Sequence, residues 1–194
     1  MQPLLPTRAL YVCWTALVML GGGILMSYHV PFQAPGDEIL TLAPAVPPGH
    51  WREIHFLSPS CACSQRVLQR LATRGPQPGV EEQVVMVEGP ETPDPDGPRN
   101  LQRVQDRGFA VVHINSETLP AKIGLVGVPL LVVVTPESKI LYRGGYGPLG
   151  DQDTNILTSL RSGHDPHPLP LMGCAVSQRL RARVDPFRMK YRLP

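Results

Sequence analysis

The chain has 194 residues, enough for one ordinary domain with extensions and too few for two independent catalytic domains. Its 23 prolines and 18 glycines make up about a fifth of the residues, short of the roughly 25–30% of a low-complexity chain, so a folded core with long Pro-rich connections is expected. Net charge is +2, but residues 174–194 hold six basic residues against Asp185, leaving −3 for everything before them, which excludes a nucleic-acid-binding body and confines the basic character to the tail.

Residues 9–36 contain no Lys, Arg, Asp or Glu, and the apolar stretch 9–28 is about the 20 residues a bilayer-spanning helix needs. Arg8 precedes it and Asp37 and Glu38 follow, so the positive-inside tendency leaves residues 1–8 in the cytoplasm and the remainder across the inner (plasma) membrane, in the periplasm. A cleaved signal peptide is the competing reading, since Gly21-Gly22-Gly23 interrupts the run and Ala43-Pro44-Ala45 has the small-x-small pattern. That site lies far beyond the apolar end, which favours an uncleaved single-pass anchor. Beyond the membrane the compartment permits disulfides. Cys13, inside the apolar run, reads as a small hydrophobe.

Residues 29–50 are Pro-rich without a sustained apolar period and read as an extended linker. A domain is expected over 51–162, opening with a strand at Trp51–Leu57. Ser58-Pro59-Ser60 then turns into a helix over 61–74, with Val67, Leu68 and Leu71 at helical spacing and Gly75 as its stop. Strands are predicted at 83–88, 109–114, 130–135 and 140–143. A helix follows the Pro- and acid-rich loop 89–99, over 100–107 with Asn100 as its cap, and a closing helix occupies 155–161. The run 130–135 (LLVVVT) is continuous enough to be buried on both faces. The order β-α-β-α-β-β-β-α implies an α/β fold with a mixed sheet flanked by helices. Residues 163–194 form a C-terminal extension holding Cys174 and the basic tail.

Cys61 and Cys63 stand at the N-terminus of the first helix of that domain. A helix N-terminus carries about half a positive charge and unpaired N–H donors, which favour thiolate over thiol. Cys61 is therefore expected as the exposed nucleophile and Cys63, further inward, as the more shielded resolving partner. Ser58 and Ser60 lack a His/Asp partner at a hydrolase spacing, and no Gly-rich phosphate loop is present.

The run His55-Phe56-Leu57-Ser58-Pro59-Ser60-Cys61-Ala62-Cys63-Ser64, with Gly127-Val128-Pro129 and the strand after it, resembles the thioredoxin-like superfamily, in its membrane-anchored periplasmic thiol–disulfide branch. The resemblance covers about residues 51–162. It implies thiol–disulfide exchange on protein clients, a cis Val128–Pro129 bond facing the cysteines, and a client groove shaped by Val128 and Pro129. The spacing departs from the family's Cys-x-x-Cys. Either Cys61 takes the nucleophile's place with Ser64 in that of the resolving cysteine, or Ser60 replaces the nucleophile and Cys63 resolves. The first is preferred because it leaves a thiol at the helix start. A Cys61–Cys63 disulfide would close a very small ring and be easily reduced.

Cys174 has three readings from sequence: a resolving partner for Cys61 or Cys63, a third metal ligand, or a solitary thiol. No cofactor is expected on the main reading. The alternative is a Cu(I) metallochaperone on the same fold, because soft thiolates select Cu(I), with Cys61, Cys63 and His113 as ligands. His55, like His113, fits a strand position, and His164 and His167 fall in a polar loop. The tail 178–194 reads as a solvated terminus, or as a basic segment for anionic head groups or an acidic partner.

Overall fold

The uncharged N-terminal run forms helix α1 (Thr7–Ser27) in the computed structural model, which describes residues 7–27, 31–47, 49–89, 94–186 and 191. The window Thr7–Ile24 is long and apolar enough to cross a membrane by length and composition, and Cys13 is on its exposed surface. Residues 1–30 form one unit and 31–194 a second. Glu91 of the acidic loop lies outside the described residues, as do 187–190 and 192–194 of the basic tail.

In the second unit the predicted alternation becomes β1 (Trp51–Leu57), α2 (Ala62–Arg74), β2 (Val80–Glu88), α3 (Gly97–Asp106), β3 (Ala110–Asn115), β4 (Gly127–Val128), β5 (Leu130–Val134), β6 (Ile140–Gly144), α4 (Asp153–Arg161), β7 (Cys174–Ala175) and α5 (Gln178–Val184). The main sheet has the order β3-β2-β1-β5-β6. β1, β2 and β3 run parallel, joined by the α2 and α3 crossovers, while β5 is antiparallel to β1 and to β6. Strand order therefore reverses at β1, and the loop after its carboxyl end is where α/β sheets place their ligands. β4 and β7 form a separate two-stranded ladder.

Alternation along the strands sorts the core into two layers. Leu57, Val84, Met86, Leu131 and Val133 face Val67, Leu68 and Leu71 of α2 and Ile156, Leu157 and Leu160 of α4. Each such side chain contributes about 1.5–3 kcal/mol by leaving water. Ile54, Phe56, Val85, Leu130, Val132 and Val134 face the other way, and every residue of β5 is fully buried, as its unbroken apolar run predicts.

The second layer corrects the expected linker. Residues 31–47 are not an extended spacer: a 3-10 turn at Asp37–Leu42 buries Ile39 completely, and Ala43 packs beside it. The C-terminal extension also closes this layer, through Leu171 and Val176. Phe32 bridges Leu171 and donates its N–H to the Leu171 carbonyl at 2.9 Å. α3 begins three residues before the predicted cap, because Pro98 supplies a helical φ in its first turn. Asn100, released from capping, is buried and donates to Gln65 Oε1 at 3.0 Å.

Candidate redox site

Cys61 is the N-cap of α2, with extended backbone (φ −106°, ψ 115°), and Gly75 ends that helix at φ +73°. The turn before it is tied on all sides. The Ser58 N–H donates to Ser64 Oγ at 3.1 Å, Gln65 Nε2 donates to the Pro59 carbonyl at 3.0 Å, and the Asp94 N–H reaches the same carbonyl at 2.9 Å. Ser64, at the resolving position of the preferred alignment, thus fastens the turn with its hydroxyl.

Facing this turn is Val128–Pro129, whose peptide bond is cis, as the family resemblance implied. The Cys61 thiol points at the Val128 carbonyl, 3.8 Å away. β7 then lies antiparallel against β4, with Cys174 opposite Val128 and Ala175 opposite Gly127. Cys61 is hydrogen-bonded to both Cys174 and Cys63, so the structure brings together three cysteines that are up to 113 residues apart in sequence. All four cysteines of the chain are thiols here.

The exposures are the reverse of those expected. Cys61 is completely buried, while Cys63 and Cys174 are half-buried. The hydrogen bond with Cys174 pushes the Cys61 thiol up from its ordinary value, burial adds to this, and the bond with Cys63 and the backbone N–H of Ser64 act in the opposite sense. The helix N-terminus is thus outweighed while Cys174 sits opposite. Cys63 has a cationic neighbour instead, with Arg66 Nη2 3.9 Å from its sulfur.

His113 is not brought to the cysteines. It lies on the sheet's outer strand β3, half exposed, with Nδ1 2.7 Å from Glu88 Oε1. His164 and His167 are exposed in the loop after α4. Among the described residues, the ligand-type side chains that converge within 4.8 Å are Glu53, His55 and Glu82. There Arg74 at the end of α2 supplies the positive charge, 2.5 Å from Glu82, 2.9 Å from Asp153 and 3.7 Å from Glu53. Arg70 shares Asp153 at 3.0 Å, and His55 bridges Tyr146 and Glu82.

Glu53 is the carboxyl of this cluster that keeps its proton. Burial, then repulsion from Glu82 and Asp153, pushes its carboxyl up to about 9. Among the described residues its Oε1 has no hydrogen-bond partner, which is tolerable for an acid and costly for a carboxylate. For Glu82 burial opposes the charge and is outweighed by hydrogen bonds from His55 and Arg74, which hold it at about 2. The Glu82 contribution to stability is present above the ordinary carboxylate value near 4.5 and is lost as pH falls toward 2. The Glu53 contribution is present below 4.5 and is lost as pH rises toward 9, because the unfolded chain gives up a proton that the fold retains. Glu53→Gln is therefore expected to raise the melting temperature at pH 8 by about 3 °C or more, with little change at pH 4.5. Thermal unfolding followed by circular dichroism from pH 4.5 to 9 checks this; parallel curves for the two chains would refute it.

A β1–α2 turn carrying cysteines at the point where strand order reverses, a cis proline facing them, and the sheet order β3-β2-β1-β5-β6 define the thioredoxin-like fold. Among solved structures, the chain is similar to an uncharacterised conserved protein from Geobacillus kaustophilus, with 18% identity over 77% of this chain and 89% of that one and a TM-score of 0.51. It is also similar to a thioredoxin-like protein solved in its oxidised form (14% identity, 71% of this chain and 98% of that one, TM-score 0.46) and to StoA from Bacillus subtilis (16%, 52% and 89%, 0.35). No protein-family model and no curated protein matches the chain. The Geobacillus likeness shows a shared fold.

Proposed function

We propose that the chain is a membrane-anchored thiol–disulfide oxidoreductase acting on extracytoplasmic protein clients through Cys61, Cys63 and Cys174. The observation that carries this reading is the meeting of the three thiols at the N-terminus of α2, against Val128–Pro129. In this reading α1 serves as the anchor and the domain works on the periplasmic side, which the length and apolar composition of Thr7–Ile24 and the flanking charges support.

The Cys61 thiolate attacks one sulfur of a client disulfide. A Cys61–client disulfide forms, and the other client sulfur leaves as a thiolate and takes a proton. Cys174 or Cys63 then attacks the Cys61 sulfur, releasing the second client thiol and leaving a disulfide within the protein. Two electrons pass from protein to client, and the reverse sequence oxidises a client dithiol. Cys174 suits the resolving role because it already sits beside Cys61 from a separate strand, whereas a Cys61–Cys63 bond closes a very small ring. Val128 and Pro129 form the wall of the client groove.

Mass mapping of the cysteines after equilibration in glutathione buffers tests the reading, with and without added Cu(I). A Cys61–Cys174 or Cys61–Cys63 disulfide that titrates with the buffer is expected. Persistent thiols that take up one copper per chain would replace exchange by metal delivery through Cys61 and Cys63.

A further inference from the structure

The strand that places Cys174 beside Cys61 also occupies the groove. β7 covers the backbone edge of Gly127 and Val128, beside Pro129, where an extended client would have to lie. The fit is close: a Cβ on Gly173 would stand 2.0 Å from the Val128 oxygen and 2.8 Å from Pro129 Cδ. Ahead of it, Leu171 is buried and held by the Phe32 N–H. After it, the Val176 N–H donates to the Val126 carbonyl at 3.2 Å.

The outer side of the strand is clamped. Arg181 Nε donates to the Ala175 carbonyl at 2.7 Å, and the Ala175 N–H donates to Tyr191 Oη at 2.7 Å, with the Arg181 guanidinium 4.9 Å over the Tyr191 ring. The complete burial of Cys61 fits this arrangement, since a nucleophile for protein disulfides must at some stage be reached.

We propose that residues 171–176 (LMGCAV) are a tethered stand-in for the client. The groove accepts an extended polypeptide whose cysteine sits between small residues and follows an apolar residue three positions earlier, and the chain's own segment keeps it shut until displaced. This rests on the exchange reading above. A tethered segment competes at an effective concentration of roughly millimolar, so a micromolar client gains access in proportion to the open fraction. Once the strand leaves, Cys61 loses the partner that most strongly disfavours its thiolate and keeps the helix N-terminus.

The test uses the full chain in detergent micelles and the nonapeptide LPLMGCAVS, the sequence of residues 169–177, with its cysteine carried as a mixed disulfide with thionitrobenzoate. Attack by Cys61 on the peptide sulfur breaks that bond, releases the coloured thionitrobenzoate thiolate and leaves the peptide on Cys61. Gly173→Val, which wedges the strand away from Val128, is expected to take the peptide about 10-fold faster than the unaltered chain. A peptide with Leu on both sides of its cysteine should gain far less. Arg181→Gln undoes the clamp without adding bulk, and carries the test if Gly173→Val does not fold. Cystamine, a small disulfide that needs no groove, reports exchange itself. Equal peptide rates in the unaltered and opened chains, with cystamine reacting in both, would overturn the tethered client and leave the exchange reading standing. No reaction with either probe in any chain would overturn both.

Discussion

Replacing Cys61 by serine is expected to lower the rate of disulfide exchange by roughly 10³-fold or more, because it removes the sulfur on which both halves of the proposed reaction depend. Cys61 is hydrogen-bonded to both Cys174 and Cys63 and is the N-cap of α2. Cys174→Ser leaves the first attack available and removes a resolving thiol. It should therefore accumulate a Cys61–client mixed disulfide, visible as a reducible adduct by mass spectrometry. Cys63→Ser should accumulate less of it if Cys174 resolves. A Cys61→Ser chain that exchanges as fast as the unaltered one would sink the reading, and stability measured in parallel separates this from unfolding.

Arg74→Met is expected to be among the most damaging substitutions away from the cysteines. The guanidinium lies between Glu82 and Asp153, whose side chains are essentially inaccessible to water; without it Asp153 keeps Arg70 and Glu82 keeps His55. Breaking a buried pair from one side costs about 3–5 kcal/mol, or roughly 10 °C in melting temperature for a domain of this size. Adding Glu82→Gln to Arg74→Met should recover a large part of the loss, since neutral groups of similar shape often replace buried ion pairs at small cost. Urea unfolding of both single variants and the double variant measures the coupling. Additive losses would show that Arg74 and Glu82 act independently.

Much of the fold could be read from the chain because its signals are local. Val67, Leu68 and Leu71 recur at helical spacing before Gly75, and the run through Leu130–Val134 is apolar without a break, so α2 and β5 follow from periodicity. Cys61 and Cys63 at the helix start were equally plain. The exposure of Cys61 was not, because it is set by Val128 and by residues 173–175, which reach it through a ladder only two residues long. No periodicity marks such a ladder. The glycine in Gly173-Cys174-Ala175 was the available signal for a close backbone approach.

The polar core escaped notice for a different reason. Glu53, His55 and Glu82 alternate like ordinary strand residues, and their burial depends on Arg74 and Asp153 arriving from two helices. Asp153, in the first turn of α4, spends its carboxylate on these ion pairs. Residues 31–47 misled because proline content reports backbone stiffness and says nothing about whether Ile39 finds a core.

The bridge between Phe32 and Leu171 joins points ~140 residues apart, a closure whose entropic cost is of order 4 kcal/mol. Residues from both ends of the second unit finish the layer over β5: Ile39 and Ala43 from one side, Leu171 and Val176 from the other. A chain emerging in order from its N-terminus can assemble the α2–α4 layer first, but it keeps an oily sheet face open until residue 176 has been made. Completion of this layer therefore waits for residues 171–176, which close the hydrophobic interior and cover the cysteines together.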